Sequence, residues 1–152
     1  MFDIEKTEEN CNTSDFCLKF TLPVIPITKK NHQVIRKNRK TGKPFITSSE
    51  RYKIFEKEVV RYTPNMAKIE IDFAINVKVL YYVNRNARVD KTNLESAIMD
   101  ALVKATVIKD DSAIKPEIVV STDGSRVYYD KENPRIEIEI TKVGVTKNGN
   151  DL

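Results

Sequence analysis

An α+β domain with one mixed sheet and two main helices is the fold this sequence predicts, and three observations carry it. Residues 67 to 82 hold Ile69, Ile71, Phe73, Ile75, Val77 and Val79 at every second position, the period of a half-buried strand. Leu94, Ile98, Ala101, Leu102 and Ala105 fall along one stripe of a helix with no internal Gly or Pro. Arg135-Ile-Glu-Ile-Glu-Ile140 then returns to the period of two. A chain of 152 residues with 40% apolar content is long enough to bury one core.

In chain order, residues 1 to 14 and 143 to 152 read as polar tails, leaving 15 to 142 as a single domain without internal repeats. Phe16-Cys-Leu-Lys-Phe-Thr-Leu-Pro-Val-Ile-Pro26 is rich in β-formers and punctuated by proline, which suits a strand that ends or lies at a sheet edge. Lys37-Asn-Arg-Lys-Thr-Gly-Lys43-Pro has loop chemistry, with Gly42 and Pro44 as breakers. Thr47-Ser-Ser-Glu50 has the form of a capping box and opens a helix through about Val60, with Tyr52, Phe55 and Val59 on one face as core residues. The strand of residues 67 to 82 hands the chain through Val83-Asn-Arg-Asn-Ala-Arg88 to the second helix, whose start Asp90, Thr92 or Asn93 can cap. Ile114 to Ser121 and Arg135 to Ile140 complete the sheet, with a hairpin-like Thr-Asp-Gly-Ser around Gly124 in which Asp123 is a turn residue.

Composition narrows the class. No stretch approaches the roughly 20 apolar residues needed to cross a bilayer, and Asp3-Ile-Glu5-Lys-Thr-Glu8-Glu9 is opposite in sign to the start of a signal peptide. No membrane partner is expected, and a cytoplasmic location follows by elimination. Cys11 and Cys17 are expected as reduced thiols, and with His32 the only histidine they make no metal site. The net charge of +4 is unevenly spread: Lys29, Lys30, Arg36, Lys37, Arg39, Lys40 and Lys43 crowd a segment without Asp or Glu. Such a run suits a phosphate backbone, because each contact releases condensed counterions. A flexible basic arm on DNA is the expectation, and a merely solvated loop the alternative. Arg85 and Arg88 can also face phosphate.

The chemistry concentrates between residues 88 and 111. Arg88-Val-Asp90-Lys-Thr-Asn93-Leu-Glu-Ser-Ala-Ile-Met-Asp100-Ala-Leu102 and Lys109-Asp110-Asp111 set one carboxylate just before a helix and a pair just after it, oxygen ligands of the kind that hard cations take. Magnesium-dependent chemistry on a phosphate ester is the first reading. A helix of about a dozen residues spans roughly 18 Å, so Asp111 must return along it, or on a neighbouring strand, to meet Asp90. The plain alternative is a capped surface helix followed by an acidic turn.

This segment resembles the RusA family of Holliday-junction resolvases, small dimeric endonucleases encoded largely by phages and prophages. The family core reads Asp-x-Asp-Asn, a Lys three residues on, then Asp-Ala-Leu and a closing Asp-Asp. Here Asp90 stands at the first Asp, Asn93-Leu94 at the Asn and its successor, Asp100-Ala101-Leu102 at the helix core, and Asp110-Asp111 at the final pair. The resemblance covers roughly Phe16 to Lys142. Two positions depart from it: the second acidic position is Thr92 and the helical Lys position is Ser96. A threonine hydroxyl can ligate magnesium or hold a ligating water, but it brings no negative charge. Loss of the Lys removes a cation that can contact the scissile phosphate, and Lys91 and Lys104 are the nearby substitutes.

The resemblance implies a homodimeric, structure-selective endodeoxyribonuclease on four-way DNA junctions in recombination and repair, using Mg2+ or Mn2+. Asp90, Asp111 and Asp110 are the expected metal ligands, with Thr92 as a helper. Asn93 and Asp100 are expected to brace the motif. Lys91 joins the basic segment and the arginines as a DNA contact, and Asn31 and His32 lie where the family has a polar loop after its first strand. Thr92 and Ser96 leave two further readings open: a decayed relative that binds branched DNA without cutting it, and a small structural or regulatory domain.

Overall fold

The strand β4, Ile75–Val83, organises the domain. The structure is a computed structural model and describes residues 16–28, 33–86, 88–109 and 118–144. Ile75, Val77, Val79, Tyr81 and Val83 are buried, with half-buried residues between them. The last strand, β7 (Arg135–Lys142), runs antiparallel to β4, with Tyr82 opposite Arg135, and buries Ile136, Ile138 and Ile140. The first strand, β1 (Cys17–Leu22), pairs with the other side of β7 and forms an edge that Pro23 terminates. Two helices complete the core. In α1 (Glu50–Tyr62) the buried residues include Tyr52, Phe55 and Val59, and in α2 (Lys91–Lys104) they are Leu94, Ala97, Ile98, Ala101 and Leu102. All of these belong to one hydrophobic cluster with the inward residues of the sheet. The result is the expected α+β domain with a mixed sheet and two helices.

Several local expectations change. The long strand begins at Ile75 and not near residue 67, because Asn65–Ala67 form a short 3-10 turn and Glu70 sits at a φ of 48°. Ile69 is accordingly exposed, although Ile71 keeps the inward phase and bridges in parallel to Ile108. The cap of α1 is Ser49, whose hydroxyl accepts from Tyr52 N at 3.2 Å, and not Thr47. Cys17, expected as a thiol, is disulfide-bonded. The basic segment is not a loose arm: β2 (Gln33–Lys37) and β3 (Pro44–Ser48) pair antiparallel into a separate two-stranded ribbon. Its strands are short and carry cations on both faces, which hides the period of two.

The Thr-Asp-Gly-Ser segment does not join a hairpin. β5 (Val119–Ser121) and β6 (Arg126–Tyr129) both run parallel to β4, at its start and its end, so they form one edge strand interrupted by a turn. Of the strand expected from Ile114, residues 114 to 117 lie outside the described residues. Gly124, at a φ of 87°, makes the turn and packs against the stem of Lys78. Side chains replace the missing ladder bonds. Asn76 Oδ1 accepts from Ser121 Oγ at 2.6 Å and Asp123 N at 2.8 Å, while its Nδ2 donates to the Asp123 carbonyl at 3.2 Å. Ser125 Oγ, in turn, accepts from Val79 N at 3.0 Å. Asn76→Ala removes three bonds in one step, and chemical denaturation is expected to show a loss of about 1–3 kcal/mol.

The end of α2 directs the chain toward the acidic pair. Thr106 N donates to the Val103 carbonyl and Val107 N to the Leu102 carbonyl, both at 3.0 Å, the pattern of a helix closed by a left-handed residue. That residue is Thr106, at a φ of 62°, where a β-branched side chain is disfavoured. The chain then turns back: Val107 and Ile108 are buried, and Lys109 N donates to the Ile71 carbonyl. Thr106→Gly relieves the strain at the cost of extra freedom in the unfolded chain, so a net gain of about 0.5–1 kcal/mol is expected in thermal or denaturant unfolding.

Candidate active site and nucleic-acid interface

Asp90 is the N-cap of α2. Its Oδ1 accepts from Thr92 N at 3.0 Å and from Asn93 N at 3.4 Å, and its Oδ2 accepts from Asn93 Nδ2 at 3.1 Å. All three bonds come from the first turn of its own helix, and the residue is exposed. A carboxylate has room for about four hydrogen bonds or ligands, so with three accepted one lone pair, on Oδ2, remains open. A hard cation takes oxygen donors of this kind. Among the described residues no group of three His, Cys, Asp or Glu side chains comes together to hold a metal. Asp110 and Asp111 lie outside the described residues, as do Cys11, Lys29, Lys30, Asn31 and His32.

The neighbouring side chains sort by face. Thr92 and Ser96 are one turn apart and both exposed, on the outer side of the first helical turns. Lys91 pairs with Glu95 at 3.6 Å across one turn. Glu95 also lies close to Tyr81, whose hydroxyl is pushed well above its ordinary range by burial first and by that carboxylate second. Glu95 escaped the sequence reading, although the Lys91 to Glu95 spacing signals the pair. At the far end of α2, Lys104 forms an ion pair with Glu56 of α1, so it is committed to holding the two helices together. Asp100 is half-buried on the same helix, close enough to Tyr52 to add to the upward pull that burial and Glu56 exert on that phenol. Arg85 and Arg88, in the loop entering α2, are exposed.

The ribbon of β2 and β3 carries Arg36, Lys37, Arg39, Lys40 and Lys43, and every residue from 35 to 45 is exposed. Its tip is ordered by local bonds. Asn38 Oδ1 accepts from Lys40 N at 2.8 Å and Thr41 N at 3.3 Å, and Gly42, at a φ of 70°, closes the loop with its N–H on the Asn38 carbonyl. Among the described residues none of these five cations forms an ion pair. Arg135 contrasts with them: it lies over the Tyr82 ring at 3.6 Å and is held by Asp130 at 2.9 Å and Glu137 at 3.4 Å, so it serves the sheet.

Fold and site thus define a small α+β domain that projects a cationic ribbon and seats an open carboxylate on its second helix. The sequence model of the family described as Endodeoxyribonuclease RusA matches residues 23–141, and the chain belongs to that family. No curated protein matches the chain. The family is one of Holliday-junction resolvase nucleases that bind branched DNA and generally depend on a divalent metal. No helix among the described residues is long and apolar enough to cross a membrane.

Proposed function

We propose that this chain is an active, magnesium-dependent endodeoxyribonuclease that resolves Holliday junctions, with manganese an accepted substitute. The observation that carries the reading is the posture of Asp90: a family-matched carboxylate, exposed, fixed from behind by its own helix and open in front. Asp111 and Asp110 join it as ligands.

A divalent metal held by these carboxylates would supply an activated water for in-line attack and charge neutralisation at the leaving oxygen. The chain supplies the rest. Asn93 locks the Asp90 carboxylate by a side-chain and a backbone bond. The exposed hydroxyl of Thr92, the second residue of the same turn, would hold a ligating water without adding charge. Lys91, Arg85 and Arg88 neutralise phosphates beside the scissile bond, and Asp100, half-buried on α2, supports the motif from its own helix. Two copies of the chain on a two-fold symmetric junction nick opposing strands. Thr92 and Ser96 favour one competing reading, a relative that binds branched DNA without cleaving it.

Purified protein incubated with labelled four-way junction and matching linear duplex, in magnesium, manganese or chelator, separates the two. Symmetric nicks that need the metal support the resolvase. Selective binding with no cut under any metal establishes the decayed relative, and Thr92→Asp with Ser96→Lys is then expected to restore cleavage.

A further inference from the structure

Ile35 and Phe45 are apolar side chains that the electrostatic role of the ribbon does not explain. Ile35 is 76% exposed and Phe45 is 45% exposed, in a stretch that also exposes Arg36, Lys37, Arg39, Lys40 and Lys43, and neither strand packs extensively on another element. A two-stranded ribbon is at best marginally stable by itself. Phe45 stands directly opposite Arg36 in the antiparallel register, so the ring and the guanidinium share one face, while Ile35 lies on the other. Arg36, Lys37, Asn38, Arg39 and Phe45 line an open concavity of about 540 Å³. Its charge is wholly positive, which selects a polyanion as occupant, and its one ring offers a surface on which a base can stack.

We propose that Phe45 is a wedge that stacks on a base exposed at the branch point of a DNA junction, with Arg36 holding the adjoining phosphate. The inference rests on the junction-binding reading above and adds the residue that distinguishes branched from linear DNA. Insertion of an apolar side chain requires a base step to open. At a crossover the stacking is already interrupted, so the cost is smallest there, whereas a continuous duplex resists the same insertion. Cations alone bind both forms through their phosphates. The Asn38 bonds order the tip that carries Arg39 and Lys40 between the two strands.

The test measures binding by anisotropy in chelator, for a four-way junction and a linear duplex, with wild type, Phe45→Ala and Phe45→Trp. A parallel junction carries 2-aminopurine beside the crossover. Wild type is expected to bind the junction selectively and to raise the 2-aminopurine fluorescence. Phe45→Ala is expected to lose junction affinity by about 5-fold to about 100-fold, the range for one aromatic–base stack, with duplex affinity unchanged and the fluorescence rise abolished. Phe45→Trp is expected to restore both. Equal loss on the two DNAs, or no loss, overturns the wedge while leaving the junction reading intact, provided wild type remains selective. A wild type that binds neither DNA overturns both. A change in sedimentation of Phe45→Ala with unaltered DNA selectivity assigns the ring to a second copy of the chain and likewise overturns the wedge. Because the residue is exposed, circular dichroism of each variant is expected to match wild type.

Discussion

Asp90→Asn is expected to reduce metal-dependent junction cleavage by about 10³-fold or more, the rate equivalent of the several kcal/mol that a catalytic metal contributes, while leaving the protein folded. Asp90 has two roles, and this substitution separates them. As a helix cap, Asp and Asn are nearly equivalent, so the amide oxygen of the substituted side chain can still accept from the N–H groups of Thr92 and Asn93, and α2 keeps its start, while the bond from Asn93 Nδ2 is given up. As a metal ligand, Asn supplies one neutral oxygen where a charge is required. Asp90→Ala removes both functions and is expected to lose about 1 kcal/mol of stability in addition. Cleavage by Asp90→Asn at the wild-type rate, with the chelator control still inactive, would reduce Asp90 to a cap and place the metal elsewhere. Binding of junction by the same variant is expected to persist, since the ribbon cations are untouched.

What the sequence disclosed and what it hid follow one physical division. Periodic burial is written along the chain: the alternation of Ile136, Ile138 and Ile140, and the stripe from Leu94 to Leu102, are both observed as inward faces. The family resemblance was legible because Asp90, Asn93 and Asp100 are close in sequence. Three features were hidden because they depend on the backbone or on distant partners. The left-handed Glu70 and Thr106 carry no glycine to announce them, so the long strand read as starting too early. The edge strand of β5 and β6 needs Asn76, some 45 residues away, to complete its ladder, and a local reading of Thr-Asp-Gly-Ser as a hairpin turn misses that. The ribbon of β2 and β3 buries none of the side chains from residues 35 to 45, so burial leaves no pattern there to read. For the site itself, Asp90 is held as its capping chemistry implies, while Asp110 and Asp111 lie outside the described residues.

The ordered ribbon changes what removing its charges should do. Neutralising Arg39, Lys40 and Lys43 together as glutamines is expected to weaken binding to any DNA on the order of 10²-fold at low salt and to lower the slope of log affinity against log salt by up to about 3, because each phosphate contact contributes about 0.9. The curves for variant and wild type should converge as salt rises toward about 1 M, where counterion release no longer favours association. Stability should not change, since none of the three side chains forms an ion pair among the described residues. Asn38→Ala keeps every charge but removes the two bonds that shape the tip. If the cations act as a preorganised set, this variant should also bind more weakly, by a smaller factor and with the salt slope nearly unchanged, because the number of contacts is kept while the ordering entropy is added to the cost of binding. If Asn38→Ala binds as wild type does, the cations act as a flexible arm despite their β-ribbon geometry. A triple variant with an unaltered slope would remove the ribbon from the phosphate interface and shift that role to Arg85, Arg88 and Lys91 beside the helix cap.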